Sequence, residues 1–210
     1  MSRDQMANIF AMLTVLAALV ALGTAVTMVM STTGSASARR FRETQSLTFV
    51  GGAAMIATTC ALGSLYLSEI ANYEPCRFCW FQRTMMYPLA VVLILAWIRR
   101  DLGAKWSGIA LATIGAAISV YHLLIEHEVI KESEECLKTG PSCALRYIDK
   151  LGGWITIPSM AFVGFMSVIV LLLNVTPNPG FEEYDDDDET EELDAVPSAP
   201  LAYEAAELTH

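Results

Sequence analysis

Two cysteines separated by two residues stand where an apolar run begins, in Cys76-Arg77-Phe78-Cys79, and Arg83 follows one helical turn later. That spacing closes a small disulfide ring whose thiols perturb each other's acidity and exchange electrons readily. The same pair is half of a zinc site, but structural zinc takes four Cys or His ligands, and neither a second CxxC nor an HxxxH occurs. No metal is expected. A guanidinium near a lipid interface is costly unless it serves an anion, and a thiolate is an anion. The stretch reads as redox chemistry.

A second pair, Cys136 and Cys143, brackets Gly140-Pro141, a turn signal that brings the two sulfurs together across an eight-residue loop. Cys60, in the middle of an apolar run, is expected to be an inert core thiol. Two pairs on one chain suggest a relay in which mixed disulfides carry two electrons from pair to pair. About 30 mV between the pairs, worth roughly 1.4 kcal/mol, sets the direction. Exchange alone creates no oxidising power. For a pair at a bilayer surface the accessible final acceptor is a lipid-soluble quinone, with Arg83 stabilising either the thiolate or the charge of the reduced quinone. The rival reading from another class is a non-catalytic membrane protein whose outer loops are stapled by two structural disulfides.

The elements that must position these residues are transmembrane helices. Of 210 residues 54% are hydrophobic, and the mean hydropathy is +0.44. A bilayer core of about 30 Å takes roughly 20 residues of helix. The stretches 9–30, 44–68, 106–125 and 151–175 meet that length without a charged residue, and 84–98 meets it if the helix starts at Trp80. Five spans are expected, in an all-α integral membrane fold. Tyr66, Tyr73, Trp80 and Tyr87 fit an aromatic belt at the outer boundary.

Charge orients the spans. Of the 23 acidic residues twelve fall in 181–210, where there is no Lys or Arg, so the net charge of -10 belongs to a tail. The remaining 180 residues carry about +2 and give no basic nucleic-acid footprint. Residues 34–38 contain an A-x-A that resembles a signal-peptidase site, but the apolar run before it is too long for a signal peptide and Arg39-Arg40-Phe41-Arg42 follows. A retained helix with its N-terminus outside is expected. Arg39, Arg40 and Arg42, then Arg99, Arg100 and Lys105, place two linkers in the cytoplasm, so both cysteine pairs face outward. Between Cys143 and the last span, Leu145, Ile148, Leu151 and Trp154 recur every three residues, as in an amphipathic segment along the membrane surface. Beyond Val175 the Pro and Asp/Glu content cannot bury enough apolar surface to order itself, so 178–210 is expected to be a disordered acidic cytoplasmic tail.

The Cys76-x-x-Cys79-x-x-x-Arg83 motif, the string Cys79-Trp-Phe-Gln-Arg83, the pair Glu126-His127 and Ile155-Thr-Ile-Pro158 together resemble the DsbB/BdbC disulfide bond formation proteins over roughly residues 47–175. The second string is more similar to the BdbC branch. The resemblance implies a four-helix transmembrane redox bundle (47–177), preceded here by an additional N-terminal helix and basic cytoplasmic linker (1–46). It implies a membrane enzyme that reoxidises an extracytoplasmic thioredoxin-like dithiol oxidase and reduces menaquinone or ubiquinone. By the same resemblance Cys136 would form the mixed disulfide with that partner, Cys143 would pass electrons to Cys76, and Cys79 would face the quinone. Arg83, His122 and His127 are the candidate quinone-binding residues. A vitamin K epoxide reductase-like enzyme also couples thiol pairs to a quinone, but there the looser pair precedes the CxxC, whereas here it follows.

Overall fold

The computed structural model describes residues 3–132, 140–150 and 152–176, with side chains from Gln5 onward. Cys136, Leu151 and the 178–210 tail of the sequence reading lie outside the described residues. Five helices carry the described chain: α1 (Arg3–Thr32), α2 (Ala36–Glu69), α3 (Arg77–Arg99), α4 (Lys105–Glu126) and α5 (Ile157–Leu173). In lipid every backbone polar group must be satisfied within the protein, and a continuous apolar run of this length does so on its own as a helix. The first four are long and apolar enough to cross a membrane. At 17 residues, α5 spans about 26 Å at 1.5 Å per residue.

Three boundaries differ from those expected, each for a local reason. Gly34 takes a left-handed φ of 104° and Ser35 caps α2 by accepting a hydrogen bond from Ala38 N. Arg39, Arg40 and Arg42 therefore lie in the first turns of α2 and not in a linker. Cys76 caps α3, so that helix begins at Arg77, three residues before Trp80. The last helix begins at Ile157, not Leu151, because Gly152 and Gly153 have positive φ and Lys150 pairs with Ile155 in an isolated bridge. The expected amphipathic segment does not form one face either. Ile148 is buried while Leu145 and Trp154 are exposed.

Helices α2, α3, α4 and α5 close a ring in which each packs on the next and α5 returns to α2; α1 packs outside it, against α2 and α5. Small residues allow this close approach, as in membrane bundles generally. Ala53, Ala57 and Ala61 form a buried row on α2, and Gly108, Ala112, Gly115 and Ala116 do so on α4. Phe165 of α5, fully buried, rests on Gly115, where a Cβ would collide with its ring.

At the end of the bundle away from Cys76, Arg42 ties three helices together. It donates to Ser31 Oγ (2.8 Å), Leu173 O (2.9 Å) and Asn174 O (3.3 Å). The last carbonyls of α5, which have no partner within the helix, are thus satisfied.

Candidate active site

Helix α3 begins with the CxxC. Cys76 is its N-cap and accepts a hydrogen bond from Cys79 N at 3.4 Å. Cys79 lies in the first turn, and the two sulfurs are 3.1 Å apart with Cys76 donating. Spacing in sequence and the geometry of a helix start thus suffice to bring the pair together. Cys76 and Cys143 are both buried and share an apolar cluster with Ile125. A side-chain hydrogen bond with Cys143 lowers the pKa of Cys76, but the bond with Cys79, burial and repulsion from Cys79 outweigh it and push the thiol up to about 12.

His122 closes this side of the site. Its Nε2 lies 3.2 Å from Cys143 O and 3.6 Å from Cys76 Sγ, and its ring packs on Phe78. A carbonyl only accepts, so Nε2 carries a proton; Nδ1 is buried with no hydrogen-bond partner among the described residues. Cys76, Cys79 and His122 have ligand atoms within 4.8 Å of one another, a set one short of the four that close a structural zinc site.

The loop carrying Cys143 is held from two directions. Glu132 accepts from Cys143 N (2.8 Å) and Ser142 Oγ (2.6 Å). Three residues beyond Cys143, Arg146 Nε lies 3.1 Å from Glu126 Oε1 as an ion pair without hydrogen-bond alignment. The other carboxylate oxygen of Glu126 accepts from Thr156 Oγ1 at 3.0 Å, which joins the end of α4 to the start of α5. His127 is exposed and faces Arg146 Nη2 at 3.3 Å, apart from the thiols.

On its other side Cys79 lines a cavity of about 440 Å³ bounded by α1, α2, α3, α5 and the loop residue Tyr147. The walls are mostly apolar; the polar groups include Ser64, Gln82 and Arg83. Arg83 is buried and fixed by two bonds to one residue, Nε to Ser64 Oγ at 2.6 Å and Nη2 to Ser64 O at 2.7 Å. Trp80 covers its guanidinium, with 5.2 Å between Arg83 Cζ and the ring centre. Gln82 donates to Ser119 Oγ on α4 at 3.1 Å. Tyr73 stacks on Tyr147 at 4.9 Å, and both line the cavity. So does Cys60, expected to be an inert core thiol. The hydroxyl of Tyr87 is buried, so that residue faces the bundle and not an aromatic belt.

Of the candidate site residues, Cys76, Cys79, Cys143 and His122 are brought together, Arg83 shares the cavity with Cys79, and neither His122 nor His127 lines it. Ser64, Gln82, Ser119, Glu132 and Arg146 carry no role in the sequence reading. For α4 the missing signal was periodic. Ser119, His122 and Glu126 recur at helical spacing and share one buried face.

Residues 44–175 match the family described as disulfide bond formation protein DsbB. The chain belongs to the DsbB family. It is 36% identical over 140 residues to a probable disulfide formation protein C 1 of Bacillus anthracis, covering 67% of this chain and 98% of that one. It is 38% identical over 128 residues to disulfide bond formation protein C of Bacillus subtilis strain 168, covering 60% and 91%. No solved structure matches this chain. As a DsbB-family protein with apolar helices of membrane length, it is a multi-pass membrane oxidoreductase of protein disulfide formation. The family match contains both cysteine pairs and omits α1.

Proposed function

We propose that this protein reoxidises an extracytoplasmic thioredoxin-like dithiol oxidase and passes the two electrons through its cysteine pairs to membrane quinone, either menaquinone or ubiquinone. The observation that carries this reading is the position of the CxxC between two different environments. Cys76 packs with Cys143 of the thiol-bearing loop and lies beside His122 of α4, and Cys79 lines an apolar cavity together with Arg83. A relay from protein thiols to a lipid-soluble acceptor needs one face of each kind.

In this reading the partner's thiolate attacks Cys136 of the Cys136–Cys143 disulfide, and the partner's second thiol resolves the mixed disulfide. The partner leaves oxidised and the loop pair is left as two thiols. Cys143 then attacks Cys76 of the Cys76–Cys79 disulfide, Cys136 resolves that bond, and Cys76 and Cys79 end as the dithiol. Two electrons move at each exchange, and each pair is restored by the next.

The cavity fits a quinone ring. Its volume lies within the range of small-molecule sites, and its few polar groups stand in an apolar lining. Cys79, Arg83, Gln82 and Ser64 are the residues that would hold the ring, and quinone supplies there an acceptor of two electrons and two protons. Arg83, desolvated and held by Ser64, provides a fixed positive charge for an anion beside Cys79. The basic residues at the ends of α1/α2 and α3/α4 orient the chain with both cysteine pairs outside, the N-terminus outside and the acidic tail in the cytoplasm.

The test is spectroscopic. Purified protein with its native lipids receives a reduced thioredoxin-like dithiol carrier and a short-chain quinone, and quinone absorbance is followed in wild type, Cys76→Ser and Cys79→Ser. Reduction that needs the carrier and both cysteines is expected. Turnover retained in either variant, or no turnover by folded wild type with ubiquinone and menaquinone analogues and its cognate carrier, would overturn the proposal.

A further inference from the structure

Helix α1 lies outside the family match, yet it is built into the cavity that Cys79 and Arg83 share. Phe10, Thr14, Ala17 and Val20 recur at three- and four-residue spacing, so they lie along one face of α1, and all four line the cavity. The opposite walls are thinned by glycine. Gly52 and Gly63 on α2 and Gly164 on α5 line the cavity too. A Cβ on Gly63 would come 2.8 Å from Phe10 Cε1, and one on Gly164 would come 2.8 Å from Cys60 Sγ. At Gly63 the missing side chain lets Phe10 of α1 close onto α2, so α1 is seated directly against the α2 wall and bounds the cavity on that side.

The helix is fixed along its length. Near its start, Met6 and Ala7 are buried in a cluster with Leu67 of α2 and Ile148 of the loop that carries Cys143. In the middle, Ser167 Oγ of α5 donates to Ala17 O at 3.3 Å. At its far end Thr27 Oγ1 donates to Asn174 Oδ1 at 3.4 Å and Ser31 Oγ accepts from Arg42. Phe10 sits on Gly63, the residue before the Ser64 that holds Arg83.

We infer that α1 is a wall of the quinone site, and that Thr14 and Ala17 touch the quinone and set how well a given quinone fits beside Cys79 and Arg83. This rests on the quinone reading above. An added helix thereby acts as a specificity element for the membrane acceptor.

A photoreactive azidoquinone tests it on the unmodified full-length protein in lipid nanodiscs. After irradiation the labelled peptides are mapped with and without an excess of unlabelled short-chain quinone. Label on the peptide containing Phe10–Val20 that the competitor removes is the expected result. If wild type reduces quinone but competed label is confined to α2–α5, the wall inference is overturned and the proposed function stands. If wild type neither reduces quinone nor carries any competed label, the proposed function fails and takes this inference with it. In a second arm, Ala17→Phe fills the cavity from the α1 side and raises the KM for quinone about tenfold with little change in kcat, the scale on which small changes in apolar pockets discriminate. Leu19→Phe, exposed on the same helix and outside the cavity lining, keeps the wild-type KM. Equal KM in the two variants would also overturn the inference.

Discussion

Arg146 reaches from the loop that carries Cys143 back to the last turn of α4, where its Nε lies 3.1 Å from Glu126 Oε1 and its Nη2 donates to Glu126 O at 3.3 Å. The carboxylate is buried, whereas the Arg146 side chain is 32% exposed, so water screens part of the attraction. The pair acts as a strut: it fixes where the chain runs three residues after the reactive thiol.

Glu126→Gln keeps an acceptor for Thr156 and removes the charge that Arg146 faces. A loss of about 1–2 kcal/mol of stability is expected, in the range of a charged hydrogen bond partly screened by solvent. Thermal unfolding in detergent measures it. Oxidation of a dithiol carrier should slow at the same time, because Cys143 is less well held. Unchanged melting and unchanged carrier oxidation would remove the strut from the mechanism.

Ser64 holds Arg83 by two bonds, one from the side chain and one from the backbone. Ser64→Ala removes the first and leaves the guanidinium Nε buried without that partner, at a cost of about 1–3 kcal/mol. The expected kinetic result is a higher KM for quinone, with Cys76 and Cys79 still able to form their disulfide under a chemical oxidant. Ser64→Thr, which keeps the hydroxyl, should restore much of the loss. Arg83→Ala should weaken quinone use further while leaving disulfide formation intact. Equal quinone kinetics in wild type and Arg83→Ala would exclude Arg83 from the site.

The transmembrane helices were legible because apolar runs of about 20 residues have one stable conformation in lipid, and the CxxC was legible because its two sulfurs are local to one helix start. What joins distant segments was not. Ser64 is an ordinary helical serine in sequence, and only the packing of α3 on α2 makes it the partner of Arg83. The three-residue recurrence around Arg146 suggests an amphipathic segment, but the loop turns, burying Ile148 and directing Arg146 to Glu126. The placement of α1 was also hidden, since its apolar residues give no strong face. Its position depends on Gly63 of α2, which leaves room for Phe10.

His122 donates from Nε2 to Cys143 O at 3.2 Å and lies 3.6 Å from Cys76 Sγ, so one ring nitrogen stands between the loop and the CxxC. His122→Phe keeps the ring packing on Phe78 and deletes the donor. Transfer from the loop pair to the CxxC should slow by about tenfold, the kinetic equivalent of losing roughly 1.4 kcal/mol of hydrogen bonding. Stopped-flow detection of the reduced Cys76–Cys79 pair after mixing with excess reduced carrier reads that step. Wild-type rates in His122→Phe would make the histidine a packing residue only.

Gly115 and Phe165 test the packing of α4 on α5. Phe165 is fully buried, and a methyl group on Gly115 would overlap its ring. Gly115→Ala improves helix propensity by up to about 1 kcal/mol but overpacks the seam by about 1–3 kcal/mol, so a net loss of stability is expected. Phe165→Leu alone leaves unfilled volume and also destabilises. In the double variant the smaller side chain at 165 gives room for the methyl at 115, and the combined loss should be less than the sum of the two. A double-mutant cycle on detergent melting curves measures that coupling. Strict additivity would mean that the two residues do not bear on each other, and the close α4–α5 approach would need another cause.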